Sequence, residues 1–366
     1  MMNKKIILLF IVIIFIIGGI YYLEKTKIKT LQEDKDYIQN ISEELKNGYK
    51  KAPELTGISG YLNTEKITIR NITKQGKVVL VDFWTYTCIN CIRTFPYLTS
   101  WDEKYRNMGL VIIGVHTPEF TFEKNYENVK QAIEKYNIKY PVVQDNDYLT
   151  WQAFNNHYWP RKYLIDKEGY IRYDHIGEGG YEETEEKIKE LLSEIGSDTK
   201  HIEITKEEIK RNKFFITNEL YAGHAFALSR DQNIGNKEGL QPGETIDYLP
   251  DRIDANKIYL KGNWKSNPDD LQLIGEEGSV ILSFFANSAN IVAEALSEPV
   301  EAEVFIDGNY ITQEQAGKDV QFNGSKAFIK VTKPQLYNVV DGDYGNYELT
   351  IKINQKNFTL NSFTFG

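Results

Sequence analysis

Cysteine is nearly absent. The 366 residues contain two, and both fall in one short motif, Cys88-Ile89-Asn90-Cys91. So sparing a use excludes a disulfide-stapled scaffold. It also argues against a structural zinc site, because the remaining ligands would have to be histidines. The five present (His116, His157, His175, His201, His224) are dispersed without metal spacing, so no metal is expected. An excess of positive charge is missing too. The formal net charge is −9, with no basic patch interleaved with aromatics, which argues against a nucleic-acid partner. Internal repeats and low-complexity tracts are absent.

One long apolar run is present. Ile6 to Leu23 carries no charge, and as a helix rising roughly 1.5 Å per residue it would span about 27 Å, close to the hydrocarbon core of a bilayer. No Ala-x-Ala-like cleavage site follows Tyr21-Tyr22-Leu23, and no cysteine lies nearby to carry a lipid. Residues 1–23 are therefore expected to be an uncleaved transmembrane signal anchor. Lys4 and Lys5 precede the run and favour an N-inside, single-pass topology in the cell membrane. The remainder would face the extracytoplasmic side, where disulfide chemistry has substrates.

The chain is long enough for two domains. Residues 24–51 mix charges of both signs with Ile28, Leu31, Ile38, Ile41 and Leu45 at helical spacing, which predicts a helical stalk. Over 52–196 strands and helices alternate, predicting an α/β sandwich. The predicted strands are Ile67–Arg70, Val78–Trp84, Leu110–His116, Val142–Gln144, Lys162–Asp166 and Ile171–His175, with a turn at Asp166-Lys167-Glu168-Gly169. The predicted helices are Asn90–Arg106, Phe122–Tyr136, Leu149–His157 and Glu182–Ile195. Residues 197–213 form a polar connector. From 214 to 366 the pattern is nearly all strand, with segments at Lys257–Trp264, Ser279–Asn287, Ile291–Ala295, Glu301–Ile306, Ala327–Thr332, Gln335–Val340, Tyr347–Ile353 and Phe358–Phe365. That spacing predicts an all-β jelly roll or β-sandwich, similar in outline to a carbohydrate-binding module.

The cysteine pair sits where a buried strand hands over to a helix. Free N–H groups and the positive end of the dipole at a helix start stabilise a thiolate, so Cys88 is the expected nucleophile. Cys91, one turn on, is the natural resolving thiol for a mixed disulfide. Competing readings are weaker. An inert buried pair suits neither the helix entry nor the spacing. Covalent haem would want histidine after the second cysteine, where Ile92 stands. A thiol peroxidase would use Thr85, three before Cys88, but the proline expected before that threonine is missing.

Val78-Val79-Leu80-Val81-Asp82-Phe83-Trp84-Thr85-Tyr86-Thr87-Cys88-Ile89-Asn90-Cys91 resembles the thioredoxin superfamily. More narrowly it resembles the TlpA/ResA-like thiol–disulfide oxidoreductases and the extracytoplasmic part of DipZ-like proteins. Gly114-Val115-His116-Thr117-Pro118-Glu119-Phe120, Tyr158-Trp159-Pro160-Arg161-Lys162-Tyr163-Leu164-Ile165-Asp166 and Gly177-Glu178-Gly179 are similar to other signatures of that group. The resemblance covers roughly 52–192. A looser one, ending in Phe363-Thr364-Phe365-Gly366, extends to the β domain of DipZ-like proteins. It implies Cys88 as nucleophile, Cys91 as resolving thiol, Asp82 as a buried acid that takes the Cys91 proton, and Glu119 as an acid that tunes the thiols. It also implies Pro160 as a cis-proline facing the disulfide, with Trp84 and Trp159 beside it where substrate docks.

These features together predict a membrane-anchored extracytoplasmic thiol–disulfide oxidoreductase working as a reductase, with no cofactor beyond the redox-active Cys88–Cys91 disulfide. Its substrates would be exported protein thiols and disulfides. DipZ-like proteins carry a multi-helix electron-conducting unit, whereas one anchor is expected here, so a separate CcdA-like membrane donor is implied. Two alternatives stand beside this. One is a cell-surface glycan-binding protein led by the β domain, using Trp264, Tyr310 and Tyr344. The other is a thiol peroxidase.

Overall fold

All seven residues of the strand Val78–Trp84 are buried, as a strand covered on both faces must be. The computed structural model describes residues 24–26, 45–46, 48–206 and 214–366. The expected anchor over 1–23, the stalk residues 27–44 and the connector residues 207–213 lie outside the described residues. Among the described residues no helix is long and apolar enough to cross a membrane.

Val78–Trp84 lies inside a six-stranded sheet. The order is Gly60–Leu62, Val142–Gln144, Leu110–His116, Val78–Trp84, Arg161–Ile165, Ile171–Ile176. The strand runs parallel to Leu110–His116 and antiparallel to Arg161–Ile165. Its alternating side chains feed two cores. Val78, Leu80 and Trp84 pack with Cys91, Phe95, Leu98 and Trp101 of the helix Ile89–Tyr105, and with Ile188 and Leu192 of the helix Tyr181–Glu194. Val79, Val81 and Phe83 pack on the other face with Ile69, Ile72, Trp151 and Phe154. Asp82 shares the parity of Val78, Leu80 and Trp84, so it lies on the face covered by the cysteine-bearing helix. Full burial of a Val, Leu or Phe side chain contributes roughly 1.5–3 kcal/mol, and this strand supplies several of them.

The α/β sandwich is as expected, with three local corrections. Ile67–Arg70 is not a strand: a helix spans Ile69–Thr73. Thr68 caps it by accepting from Asn71 N, and the Glu54 carboxylate accepts from Ile69 N and Arg70 N. These caps outweigh the β-branched composition. The helix at Leu149 ends at Ala153, not at His157, because the Asn156 side chain accepts from His157 N and Tyr158 N and turns the chain. The stalk is not helical at its end. Leu45–Lys46 pairs antiparallel with Tyr49–Lys50, and Gly48 takes a left-handed φ of 83°, which glycine adopts without strain.

The second domain is nearly all β, with one short helix at His224–Ser229, and its strands are hydrogen-bonded as one continuous ten-stranded sheet rather than two separate ones. The segments read as Ser279–Asn287 and Ile291–Ala295 belong to one strand, Leu271–Ala295, and those at Gln335–Val340 and Tyr347–Ile353 to another, Gln335–Ile353. The two pair along most of their length, with register shifts near Ala286 and Ala289, and such bulges bend a sheet. Leu360, in Phe358–Phe365, pairs with Leu271 on one side and Ala293 on the other. Both ends of the long strand therefore meet one partner, and the sheet closes over its own core.

The two domains are docked. Phe120, from the loop after Leu110–His116, is buried in the core cluster of the β domain and meets Phe226 edge-on at 5.6 Å. Thr121 N donates to Asp269 Oδ2 (2.8 Å), and Lys333 Nζ donates to Gln131 Oε1 (2.7 Å).

Candidate active site

Cys88 is the N-cap of the helix Ile89–Tyr105, and its Sγ accepts from Cys91 N at 3.4 Å. The sulfur is also 4.0 Å from the Trp159 carbonyl oxygen, and the Trp159–Pro160 peptide is cis. Cys88 is half-buried and Cys91 fully buried; both are free thiols. One sulfur is therefore accessible at a helix start and faces the Trp159–Pro160 backbone, while the other lies one turn deeper. Trp159 is held in place by donating Nε1–H to Thr117 O (3.1 Å) and packing on Trp151 (4.3 Å between ring centres).

Beneath Cys91 an acid and a base are buried side by side. Asp82 and Lys162 are register partners on adjacent antiparallel strands, and both are fully buried. Neither Asp82 oxygen nor Lys162 Nζ has a hydrogen-bonding partner. Burial pushes the Asp82 pKa up to about 7, against the pull of the Lys162 charge. Burial likewise lowers Lys162, with Asp82 opposing. The Cys91 thiol is held well above its ordinary range, first by burial, then by Cys88, with Asp82 adding to it. Gly114, opposite Asp82 on the parallel strand, keeps this space open: a Cβ there would lie 2.7 Å from Trp84 Nε1.

Glu123 ties the cysteine loop to the domain junction. One carboxylate oxygen accepts from Thr87 N and Thr87 Oγ1, at 3.3 and 2.6 Å. The other accepts from Glu119 N and Phe120 N, at 2.6 and 3.0 Å. Residues just before Cys88 are thus fixed to the segment that plugs into the β domain. Glu119 itself accepts from Tyr221 Oη at 2.7 Å. Both domains line the cleft over Cys88, about 270 Å³ in volume, with Glu119, Tyr158 and Trp159 on one side and Glu219, Tyr221 and Phe365 on the other.

The structure brings Cys88, Cys91, Asp82, Trp159 and Pro160 together and sets Glu119 at the same cleft. Trp84 is a correction. It is fully buried, packed edge-on against Phe95 and His116, and presents no surface to a docking substrate. Its place at the end of an apolar strand, facing the helix, puts it in the core. Thr85, which a peroxidase reading needs beside the thiol, is fully buried, 3.5 Å from His116 Nε2. Trp264, considered for sugar binding, is fully buried in the β-domain core.

Comparison with known proteins matches this geometry. The Redoxin family covers residues 48–192, and the family described as thioredoxin like C-terminal domain covers 217–366. Thiol-disulfide oxidoreductase YkuV of Bacillus subtilis is 30% identical over 142 residues, 39% of this chain and 94% of that protein. The chain belongs to the thioredoxin superfamily, among its TlpA/ResA-like members. Thiol-disulfide oxidoreductase ResA of Bacillus thuringiensis is 29% identical over 148 residues, 40% of this chain and 77% of that protein. Protein DipZ of Mycobacterium bovis is 35% identical over 246 residues, 66% of this chain but 34% of DipZ. The chain thus spans about a third of the length of the DipZ relatives it matches.

Within this thioredoxin-superfamily site, several residues escaped sequence reasoning. Lys162 stands in a segment read only as a strand, and a lysine among Tyr163, Leu164 and Ile165 was the available signal. Glu123 was hidden in a helix stripe. Glu219, Tyr221 and Arg230 carry no local motif; the docking of Phe120 brings their segment to Cys88.

Proposed function

We propose that this chain is a thiol–disulfide oxidoreductase that works through Cys88 and Cys91 in the reducing direction on exported protein disulfides. The observation that carries this reading is the placement of Cys88: half-exposed, at a helix N-terminus, facing the Trp159–Pro160 backbone, with Cys91 buried one turn deeper over Asp82.

The steps follow from that placement. The Cys88 thiolate attacks one sulfur of a substrate disulfide held in extended form along Trp159–Pro160, and the second substrate sulfur leaves as a thiolate. Cys91 then attacks Cys88 in the mixed disulfide. Its buried thiol must first lose a proton, and Asp82, with its pKa pushed up to about 7, is basic enough near neutral pH to take it. The first substrate sulfur departs, leaving the Cys88–Cys91 disulfide and a fully reduced substrate. Lys162 steadies the carboxylate form of Asp82 until it is needed.

Residues 1–23 anchor the chain as an N-inside single span, and the two domains work outside the cytoplasm. The uncharged run Ile6–Leu23 behind Lys4 and Lys5 supports this. A CcdA-like membrane protein would return Cys88–Cys91 to the dithiol. The test is reduction of a peptide disulfide by the reduced full chain. Wild type is expected to reduce one disulfide per chain in a single turnover, and Cys88→Ser none. A Cys88→Ser variant that keeps the wild-type rate would end this proposal.

A further inference from the structure

Glu119 is met from the β domain by three side chains. Tyr221 Oη lies 2.7 Å from Glu119 Oε1 and 3.0 Å from Glu219 Oε2. The Arg230 guanidinium lies over the Tyr221 ring, 4.4 Å from its centre. All four residues line the cleft that opens over Cys88. A phenol has one proton to donate, so it can serve one carboxylate in full. The second short contact is favourable only if that carboxyl carries a proton and donates it to the phenol oxygen. Two carboxylates bridged by one atom also repel when both are ionised.

The surrounding charges agree. Burial pushes Glu219 up to about 6, against Tyr221 and Arg230. Burial raises Glu119 well above the usual carboxylate range, and the neighbouring Glu219 and Glu123 add to it, while Tyr221 and Arg230 oppose. Glu123 is already engaged by its four donors. His157 and Tyr158 are the remaining titratable side chains on the wall of the cleft beside Cys88. With one proton on the pair, two carboxyls and one guanidinium sum to zero charge.

We propose that Glu119 and Glu219 hold one proton between them across Tyr221, beside the Cys88 thiol, and give it to the thiolate that leaves when Cys88 opens a substrate disulfide. This rests on the oxidoreductase reading above. In that step the Cys88–substrate S–S bond forms and the substrate S–S bond breaks. The electron pair leaves on the second substrate sulfur, which takes the proton of the carboxyl pair and departs as a neutral thiol. Solvent entering the cleft restores the proton. Tyr221 and Arg230 are positioning residues: one bridges the pair, the other limits it to a single proton. The β domain thus completes the redox site rather than merely following it in the chain.

The test compares two substrates in single turnovers of the reduced full chain. One is an aryl disulfide, whose leaving thiolate needs no proton. The other is a dialkyl peptide disulfide, whose leaving thiolate does. In wild type the alkyl-to-aryl rate ratio should fall in one step as pH rises past the point where the pair gives up its shared proton, which burial sets well above the usual carboxylate range. In Glu219→Gln and Tyr221→Phe the ratio should be about tenfold lower at pH below that point, less than the roughly hundredfold or more usual for a general acid because thiols leave readily, and the pH step should vanish. Lys333→Ala, which cuts a domain contact to Gln131, should keep the wild-type ratio and step. The proposal is overturned if the variants keep the wild-type ratio and pH step, or if both rates fall together so that the ratio holds. Wild type that reacts with neither disulfide would instead remove the oxidoreductase reading, and this inference with it.

Discussion

Replacing Asp82 by asparagine should change how stability depends on pH, by an amount the structure sets. Asp82 is fully buried, and its pKa stands at about 7 against 3.8 for an ordinary aspartate. Between those values the folded chain binds a proton that the unfolded chain does not, so stability is lost as pH rises through the interval. About three units at ~1.36 kcal/mol each amount to about 4 kcal/mol. Asp82→Asn removes the ionisation and therefore the loss. Lys162 works in the same direction. Without a charge opposite, its ammonium sheds its proton at lower pH in the folded chain than in the unfolded one, which also favours the variant as pH rises. Guanidinium unfolding of both proteins with Cys88 and Cys91 reduced, at about pH 4.5 and about pH 8, gives the difference directly. The variant should gain about 3 kcal/mol on wild type between the two conditions, because part of the loss has already occurred at about pH 4.5. Stabilities that stay parallel across that range would refute the buried, strongly perturbed Asp82, and with it the assignment of the Cys91 proton.

Three further outcomes are expected. Glu123→Leu strands the donors of Thr87, Glu119 and Phe120 and should cost about 2–4 kcal/mol in chemical denaturation, with Glu123→Gln milder because an amide oxygen still accepts. Phe120→Ala empties a buried site in the β-domain core and should destabilise by about 3–5 kcal/mol, with slower disulfide exchange as Glu119 and Tyr221 separate. The Cys88–Cys91 couple, equilibrated with glutathione of known ratio, should have a potential near about −270 mV if the chain is a reductase, whereas a value near about −120 mV would make it an oxidant.

Much of the redox centre could be read locally because its signals are local. Val78–Trp84 is a continuous apolar run ending at Cys88, and a single acid within it, Asp82, costs too much to bury without a purpose. Elsewhere the deciding interactions are distant in sequence. Ile67–Arg70 reads as strand until Glu54 is seen to cap the helix from fifteen residues away. The resemblance gives Trp84 a place where substrate docks, yet the helix packed on its face buries it. The long strands of the β domain read as shorter segments, with Asp341-Gly342 as a turn in one of them, yet bulges carry the pairing past these breaks. Glu219, Tyr221 and Arg230 could not be found from sequence at all, since they reach Cys88 only through the docking of Phe120 across the domain junction.

The central claim is that Cys88 attacks and Cys91 resolves. Removing the resolving thiol tests it most directly: reduced full chain carrying Cys91→Ala is mixed with a peptide disulfide, and the product is mapped by mass spectrometry. The account predicts a stable mixed disulfide, one peptide per chain, attached at Cys88. A chain that remains unmodified, while wild type reduces the same peptide, would contradict it.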